Sequence, residues 1–379
     1  MPTRDRALFE VFGRLPLPMV RLGELPTPVQ PLGPVQQALG SRSEAWVKRD
    51  DLSSDVYGGN KIRTLEVLFA EALAQGATHV YATGAFGSNH AVATLLHAPR
   101  VGLRPGALLF PQPPSLTALE NLRVLASADA DRLRLLHWSQ LPFAVPYLRA
   151  SRRLRGARPF VMVPGGATPR GALGYVSAAL ELAKQVAAGE LPPPRAIVVG
   201  VGSTCTSAGL LVGLQIAARL GIGFAAPPRL VAVRVTPWPI TSATLIVRLA
   251  TRASALLESL TGDPRCRVSR AVLRANLEVD GTQLGRGYGR PTAAGREAIA
   301  LFARVRNPRP LALDTTYSGK AAAALVARLR ANAPGPWLFW STKSTAPLPA
   351  HGASPSDPVL RGWMARAAGD GGPPTTVGR

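Results

Sequence analysis

The residues with most scope for chemistry lie close together, in Lys48-Arg49-Asp50-Asp51-Leu52 and Gly58-Gly59-Asn60-Lys61. Charges and a turn lead into paired glycines, an amide and a lysine. Ile62, Leu65, Leu68, Phe69, Ala72 and Leu73 recur at helical spacing, which predicts a helix over 62–75 with Lys61 at its mouth. The positive end of a helix dipole disfavours an ammonium and favours anions. Lys61 should therefore lose its proton more readily than a surface lysine, and a neutral amine can condense with a carbonyl. A capped surface helix with a solvated lysine reads the same residues more plainly.

Two further stretches could hold anions. His79–Thr83 reads as a short buried strand, Gly84-Ala85-Phe86-Gly87 as a tight turn, and Ser88-Asn89-His90 as the start of another helix capped by Ser88. Three polar side chains and free N–H groups at a helix N-terminus suit a carboxylate or a phenolate oxygen. Ala196–Gly200 reads as a buried strand, followed by the small residues Val201 to Gly209 and an apolar helix. Such a loop lets backbone N–H groups point at a phosphate, although any strand-to-helix turn in an α/β protein has the same outline.

In order and spacing, KRDDL, GGNK, and SNH after a strand and a glycine turn resemble the pyridoxal-phosphate enzymes typified by D-cysteine desulfhydrase and 1-aminocyclopropane-1-carboxylate deaminase. The likeness runs from about Leu22 to Thr342. Gly171 to Tyr175 resembles the family's glycine turn before a long helix, here to Ala188. Gly287-Tyr288-Gly289 with Pro291-Thr292 resembles its GYG-x-P-T segment, and Leu313 to Ala321 its LD-x-x-Y-T-G-K-A. The resemblance implies an α/β chain with the two-domain fold type II architecture, tryptophan synthase β-like, with parallel sheets flanked by helices. Residues 1–61 and 163–350 would form the larger, cofactor-binding domain, 62–162 a smaller inserted domain, and 351–379 a mobile tail. Strands are expected at Gly106–Phe110, Leu133–His137, Leu230–Val235 and Trp337–Trp340, and Phe160 to Pro164 returns the chain to the larger domain. Helices are expected near Leu116–Ala126 and from Thr292 to about Arg304.

The resemblance also implies roles. Lys61 would hold pyridoxal 5′-phosphate, and Gly202, Ser203, Thr204, Cys205 and Thr206 would cradle its phosphate. Ser88, Asn89 and His90 would grip the substrate carboxylate and the cofactor's ring oxygen. Lys61 or the Ser88 hydroxyl would take the α-proton, with Tyr288 and Tyr317 facing the site and Tyr317 able to shuttle a proton. A buried structural tyrosine is the plainer reading of either. Ser318 and Thr342 occupy two positions that carry Glu and Leu in the deaminase branch and small hydroxyl residues in the desulfhydrases. A carboxylate beside a pyridine nitrogen keeps it protonated and a hydroxyl does not, so the pair favours β-elimination over ring opening. The chain departs from the pattern twice. Thr204 and Cys205 replace glycine in the phosphate loop, and Ser341-Thr342-Lys343-Ser344 replaces His-Thr-Gly-Gly. Lys343 could reach a sulfonate or second carboxylate on a substrate, point to solvent, or mark a site that has lost catalysis.

The expected activity is β-elimination and deamination of a small amino acid such as D-cysteine, giving a keto acid and ammonia, by a cytoplasmic homodimer. An altered or inactive member that binds an anionic amino acid or acts as a scaffold is the alternative. Composition agrees with a globular enzyme: 379 residues, 46% hydrophobic, with no run long enough to span a membrane and no apolar segment near Met1 of the kind that directs secretion. Cys205 and Cys266, the two cysteines, exclude a disulfide framework and a cysteine-based zinc site, and no metal is expected. The net charge is +22, and five of the 44 basic residues are lysines. The arginines are scattered apart from Arg149, Arg152, Arg153, Arg155 and Arg158, which read as a solvated helix face. No nucleic-acid-binding module accompanies them, so nucleic acid is not an expected partner.

Overall fold

A computed structural model describes residues 5–127, 130–306, 308–349 and 357–369. Among them are ten strands: β1 (Val29–Pro31), β2 (Ala45–Lys48), β3 (His79–Ala85), β4 (Arg104–Phe110), β5 (Asp131–Arg134), β6 (Pro159–Val161), β7 (Ala196–Val201), β8 (Arg229–Arg234), β9 (Leu277–Asp280) and β10 (Trp337–Trp340). They form a six-stranded sheet in the order β1-β2-β10-β7-β8-β9 and a four-stranded sheet in the order β5-β4-β3-β6. Every pairing is parallel except β1 with β2. The last strand enters the middle of the larger sheet, where Leu338 sits opposite both Trp46 and Ile197. All six residues of β7 are buried, which explains its unbroken apolar sequence: helices cover both faces of a parallel sheet.

The helix predicted over 62–75 spans Lys61–Ala74, and Ser88 caps the Asn89–His97 helix by accepting from the Ala91 N–H. Thr292 caps Ala293–Phe302 in the same way. Three expectations differ. Gly171 to Tyr175, expected as a turn before the long helix, lies inside it, because Thr168 caps the Pro169–Ala187 helix and so starts it two residues earlier. The strand expected at Leu133–His137 lies at Asp131–Arg134, since the ladder to β4 ends at Leu109–Arg134 and Leu136 turns outward. The tail expected to be mobile from 351 holds a helix at Pro358–Gly369, whose Leu360, Trp363 and Ala367 are buried against the smaller sheet's core. Trp363 stacks edge-on against Phe86 and donates Nε1–H to the Gln112 carbonyl at 2.8 Å. Most of the run 369–375 lies outside the described residues.

The KRDD motif is internal. Lys48 donates to Glu181 and the Thr27 carbonyl, each at 2.6 Å, while Arg63 bridges Asp50 and Glu181 at 2.7–3.0 Å. Asp50 Oδ2 also accepts from Tyr175 at 2.8 Å and from Trp340 Nε1 at 2.7 Å. This buried network clamps the Lys61–Ala74 helix to the long Pro169–Ala187 helix and to the ends of β2 and β10. Burial alone would raise both carboxyls, but Arg63 and Lys48 overcome it and hold them below their ordinary range. Of the arginine cluster, Arg152 pairs with Asp131 at 2.7 Å, while Arg149, Arg153, Arg155 and Arg158 are exposed. Among the described residues no helix is long and apolar enough to cross a membrane, and no group of His, Cys, Asp or Glu could hold a metal.

Candidate active site

A cavity of about 400 Å³ opens between the two sheets at the C-terminal ends of β3, β4, β7 and β10, where α/β sheets bind ligands. Lys61 enters from the first turn of its helix. Burial lowers the affinity of its amine for a proton, and the amine has no hydrogen-bond or ion-pair partner among the described residues. The approach of Lys61 depends on glycines. Gly59, at φ +90°, packs so that an added Cβ would lie 2.5 Å from the Thr342 carbonyl, which accepts from the Asn60 N–H at 3.1 Å. Gly165, at φ +63°, brings its turn so near that an added Cβ would lie 2.1 Å from Ser203 Oγ and 3.5 Å from Lys61 Nζ.

Opposite Lys61, Gly202, Ser203 and Thr204 lead from β7 into the Cys205–Arg219 helix, and Asn60 donates to Thr206 Oγ1 at 3.1 Å. All four loop positions except Cys205 line the cavity, as does Thr206. Thr204 adopts φ +68°, the left-handed conformation glycine would supply, so the threonine preserves the turn at a steric cost. Tyr317 lies against Gly202, where a Cβ would come within 2.9 Å of its ring. Tyr317 and Tyr288 share a 2.9 Å hydrogen bond. Burial raises both phenols, Tyr288 to about 12 and Tyr317 further, so each stays protonated at neutral pH.

On the smaller sheet's side, Ser88, Asn89 and His90 all reach the cavity. Asn89 Oδ1 accepts from Tyr57 at 3.0 Å and Asn121 Nδ2 at 2.7 Å, which leaves its NH₂ group for a ligand. His90 is buried, has both ring nitrogens unpartnered, and is held neutral with a pKa of about 3 by burial and by Lys61. It therefore offers the cavity a neutral hydrogen-bonding group rather than a cation.

Eleven residues of the predicted set converge here from distant elements, together with Asn60 and the Gly165 turn. Two predicted residues do not join them. Cys205 directs its thiol to the Gly166 carbonyl at 3.3 Å, and Ser318 is occupied with Asp314, donating to its carboxylate at 2.8 Å. Neither lines the cavity. Lys343 and Ser344 also turn away: Ser344 accepts from the Gly58 N–H at 2.9 Å, and Lys343 lies 5.5 Å from the centre of the Tyr57 ring. Of the readings left open for Lys343, neither a contact with an anionic substrate nor a solvent-facing amine is what the structure holds: its amine makes a cation–π contact with Tyr57, behind Asn89. Tyr57, Asn121, Gln112, Trp138 and Ile240 were missed, because no local spacing marks residues that meet only across the fold.

The donor set fits pyridoxal phosphate: an amine of lowered basicity on one wall, a helix N-terminus entered through small residues on the other, and a glycine whose Cβ would fill the space between them. The comparisons agree. Residues 20–342 match the family model described as pyridoxal-phosphate dependent enzyme. The chain is 32% identical over 343 residues to D-cysteine desulfhydrase from Salmonella paratyphi C (strain RKS4594), covering 88% of this chain and 96% of that protein. A crystal structure of an ACC deaminase homologue is 28% identical, covers 90% of this chain and 95% of its own, and superposes with a TM-score of 0.72. Diaminopropionate ammonia lyase from Escherichia coli, at 15% identity, 86% and 84% coverage and a TM-score of 0.54, shares the fold. The chain belongs to the pyridoxal-phosphate-dependent enzymes and, among them, to the D-cysteine desulfhydrase and 1-aminocyclopropane-1-carboxylate deaminase family of lyases.

Proposed function

We propose that this lyase eliminates the β-substituent of a small amino acid of the D-cysteine type, releasing a keto acid and ammonia, with Lys61 as cofactor-bearing residue and base. The observation that carries this reading is the unpartnered Lys61 amine facing the Gly202–Thr206 loop across one cavity. Bound pyridoxal phosphate supplies an electron sink that acidifies the substrate's α-carbon. Lys61 Nζ, buried and of lowered basicity, would take the α-proton. Ser88, Asn89 and the first N–H groups of their helix hold the carboxylate, and Asn89 is oriented for this by Tyr57 and Asn121. Tyr317, protonated and backed by Tyr288, delivers a proton to the departing group. Gly202, Ser203, Thr204 and Thr206 would hold the phosphate, and Thr342, which lines the same cavity, would offer its hydroxyl to the pyridine ring. The hydroxyl at Thr342 supports elimination over ring opening.

The proposal extends to a cytoplasmic homodimer. The buried, unpaired Cys205 and Cys266 suit a reducing compartment, and light scattering of the purified protein tests the dimer. An absorbance spectrum tests the chemistry. The wild-type chain is expected to show a cofactor band near the visible edge that shifts on adding D-cysteine, with keto-acid release. Lys61→Ala is expected to lose that band, and an unchanged spectrum in the variant would refute the assignment.

A further inference from the structure

Once the polar groups of the cavity are assigned, its mouth remains, and its composition is informative. Trp138, on the segment after β5, and Pro237 and Ile240, on the loop after β8, line this one cavity together with Phe110 and Leu141. Trp138 is 52% exposed and Ile240 47%, although both line the cavity. Large apolar side chains left open at a cavity rim are available for a ligand to cover. Among the polar residues beside them, the Gln112 side-chain oxygen accepts from the Gly87 N–H at 3.1 Å, and Thr236 is bonded to Thr241, which donates to the Gly202 carbonyl at 2.7 Å. Lys61 is the only Lys, Arg, Asp or Glu among the described residues lining the cavity. A sulfonate or second carboxylate on the substrate would lose its hydration here with no opposite charge to receive it. A bare thiol would leave the rim uncovered.

We infer that the preferred substrate, on the lyase reading above, is a cysteine thioether whose sulfur carries an apolar group seated between Trp138 and Ile240. The reaction balances without an added oxidant or reductant. The α-proton passes to Lys61 Nζ, the Cα–Cβ double bond forms, and the Cβ–S bond breaks with its electron pair leaving on sulfur. Sulfur takes a proton and departs as a thiol, and water hydrolyses the remaining enamine to pyruvate and ammonia.

The test compares S-benzylcysteine with cysteine, each as D and L enantiomers, by pyruvate release from the holoenzyme. Within the accepted handedness, S-benzylcysteine should show a kcat/KM at least about tenfold higher, since apolar pocket contacts discriminate by about that factor or more. Trp138→Ala and Ile240→Ala should each cut that preference severalfold. A separate binding measurement uses 3-(benzylthio)propanoate, which lacks the amino group. It should change the protein's tryptophan fluorescence at concentrations at least tenfold below those at which propanoate does. Turnover of cysteine with equal or weaker turnover of S-benzylcysteine would overturn the inference and leave the lyase intact. No turnover of either, with the cofactor band present, would overturn both.

Discussion

Four of the five lysines are engaged: Lys48 with Glu181 and the Thr27 carbonyl, Lys184 with Glu10, Lys320 with the Leu284 and Gly287 carbonyls, and Lys343 over Tyr57. Lys61 alone among them faces the cavity without a partner. Its position was legible because the helical spacing after Asn60 fixed where the helix must begin. Cys205 and Ser318 were not, because each sits at the start of a helix where one step of rotation decides whether a side chain faces the ligand or the core. Tyr317 is the clearest test at this scale. Tyr317→Phe keeps the ring against Gly202 and removes the proton, so kcat should fall by about 10²–10⁴ while the cofactor band remains. A kcat within threefold of wild type would remove Tyr317 from the chemistry. Thr204→Gly should relieve the left-handed strain and raise stability by about 1 kcal/mol in denaturant unfolding, with cofactor affinity retained. A loss of stability would mean that the threonine contributes more than its backbone costs.

At the scale of elements, the motif that drew attention as charge, Lys48 to Asp51, works as a clamp that orients the helix bearing Lys61. The sequence shows the charges but not their partners, since Glu181 and Tyr175 arrive from a helix more than 120 residues downstream. Arg63→Met should destabilise the fold by about 3–5 kcal/mol, because it leaves Asp50 and Glu181 buried without their shared cation. The pH dependence has a definite sign. Both carboxyls titrate lower in the folded than in the unfolded chain, where they lie near 4. Their stabilisation is therefore complete above that value and disappears as the pH falls below it. Wild-type unfolding free energy should drop steeply on acidification, and the Arg63→Met protein should show a shallower slope. Parallel slopes would place the acid sensitivity elsewhere. The Pro358–Gly369 helix belongs to this scale too. Its amphipathic run is short and lies beyond the span of the resemblance, so only the packed structure shows Trp363 bracing the Gln112 loop.

Over the whole molecule, strands were the most legible feature. Both sheets are covered by helices, so buried strands such as Ala196–Val201 and Trp337–Trp340 read as apolar runs with nearly correct limits. What remained illegible is the meeting of loops from the two sheets, which brings Trp138 and Ile240 to one opening from positions a hundred residues apart. The cavity itself is a property of that meeting, with Lys61 on one wall and the loop that begins at Gly202 on another. The most direct measurement is borohydride reduction of the purified holoenzyme followed by peptide mapping by mass spectrometry. The account predicts a stable cofactor adduct on Lys61 and on none of Lys48, Lys184, Lys320 and Lys343. An adduct on another lysine, or none after loading with pyridoxal phosphate, would contradict it.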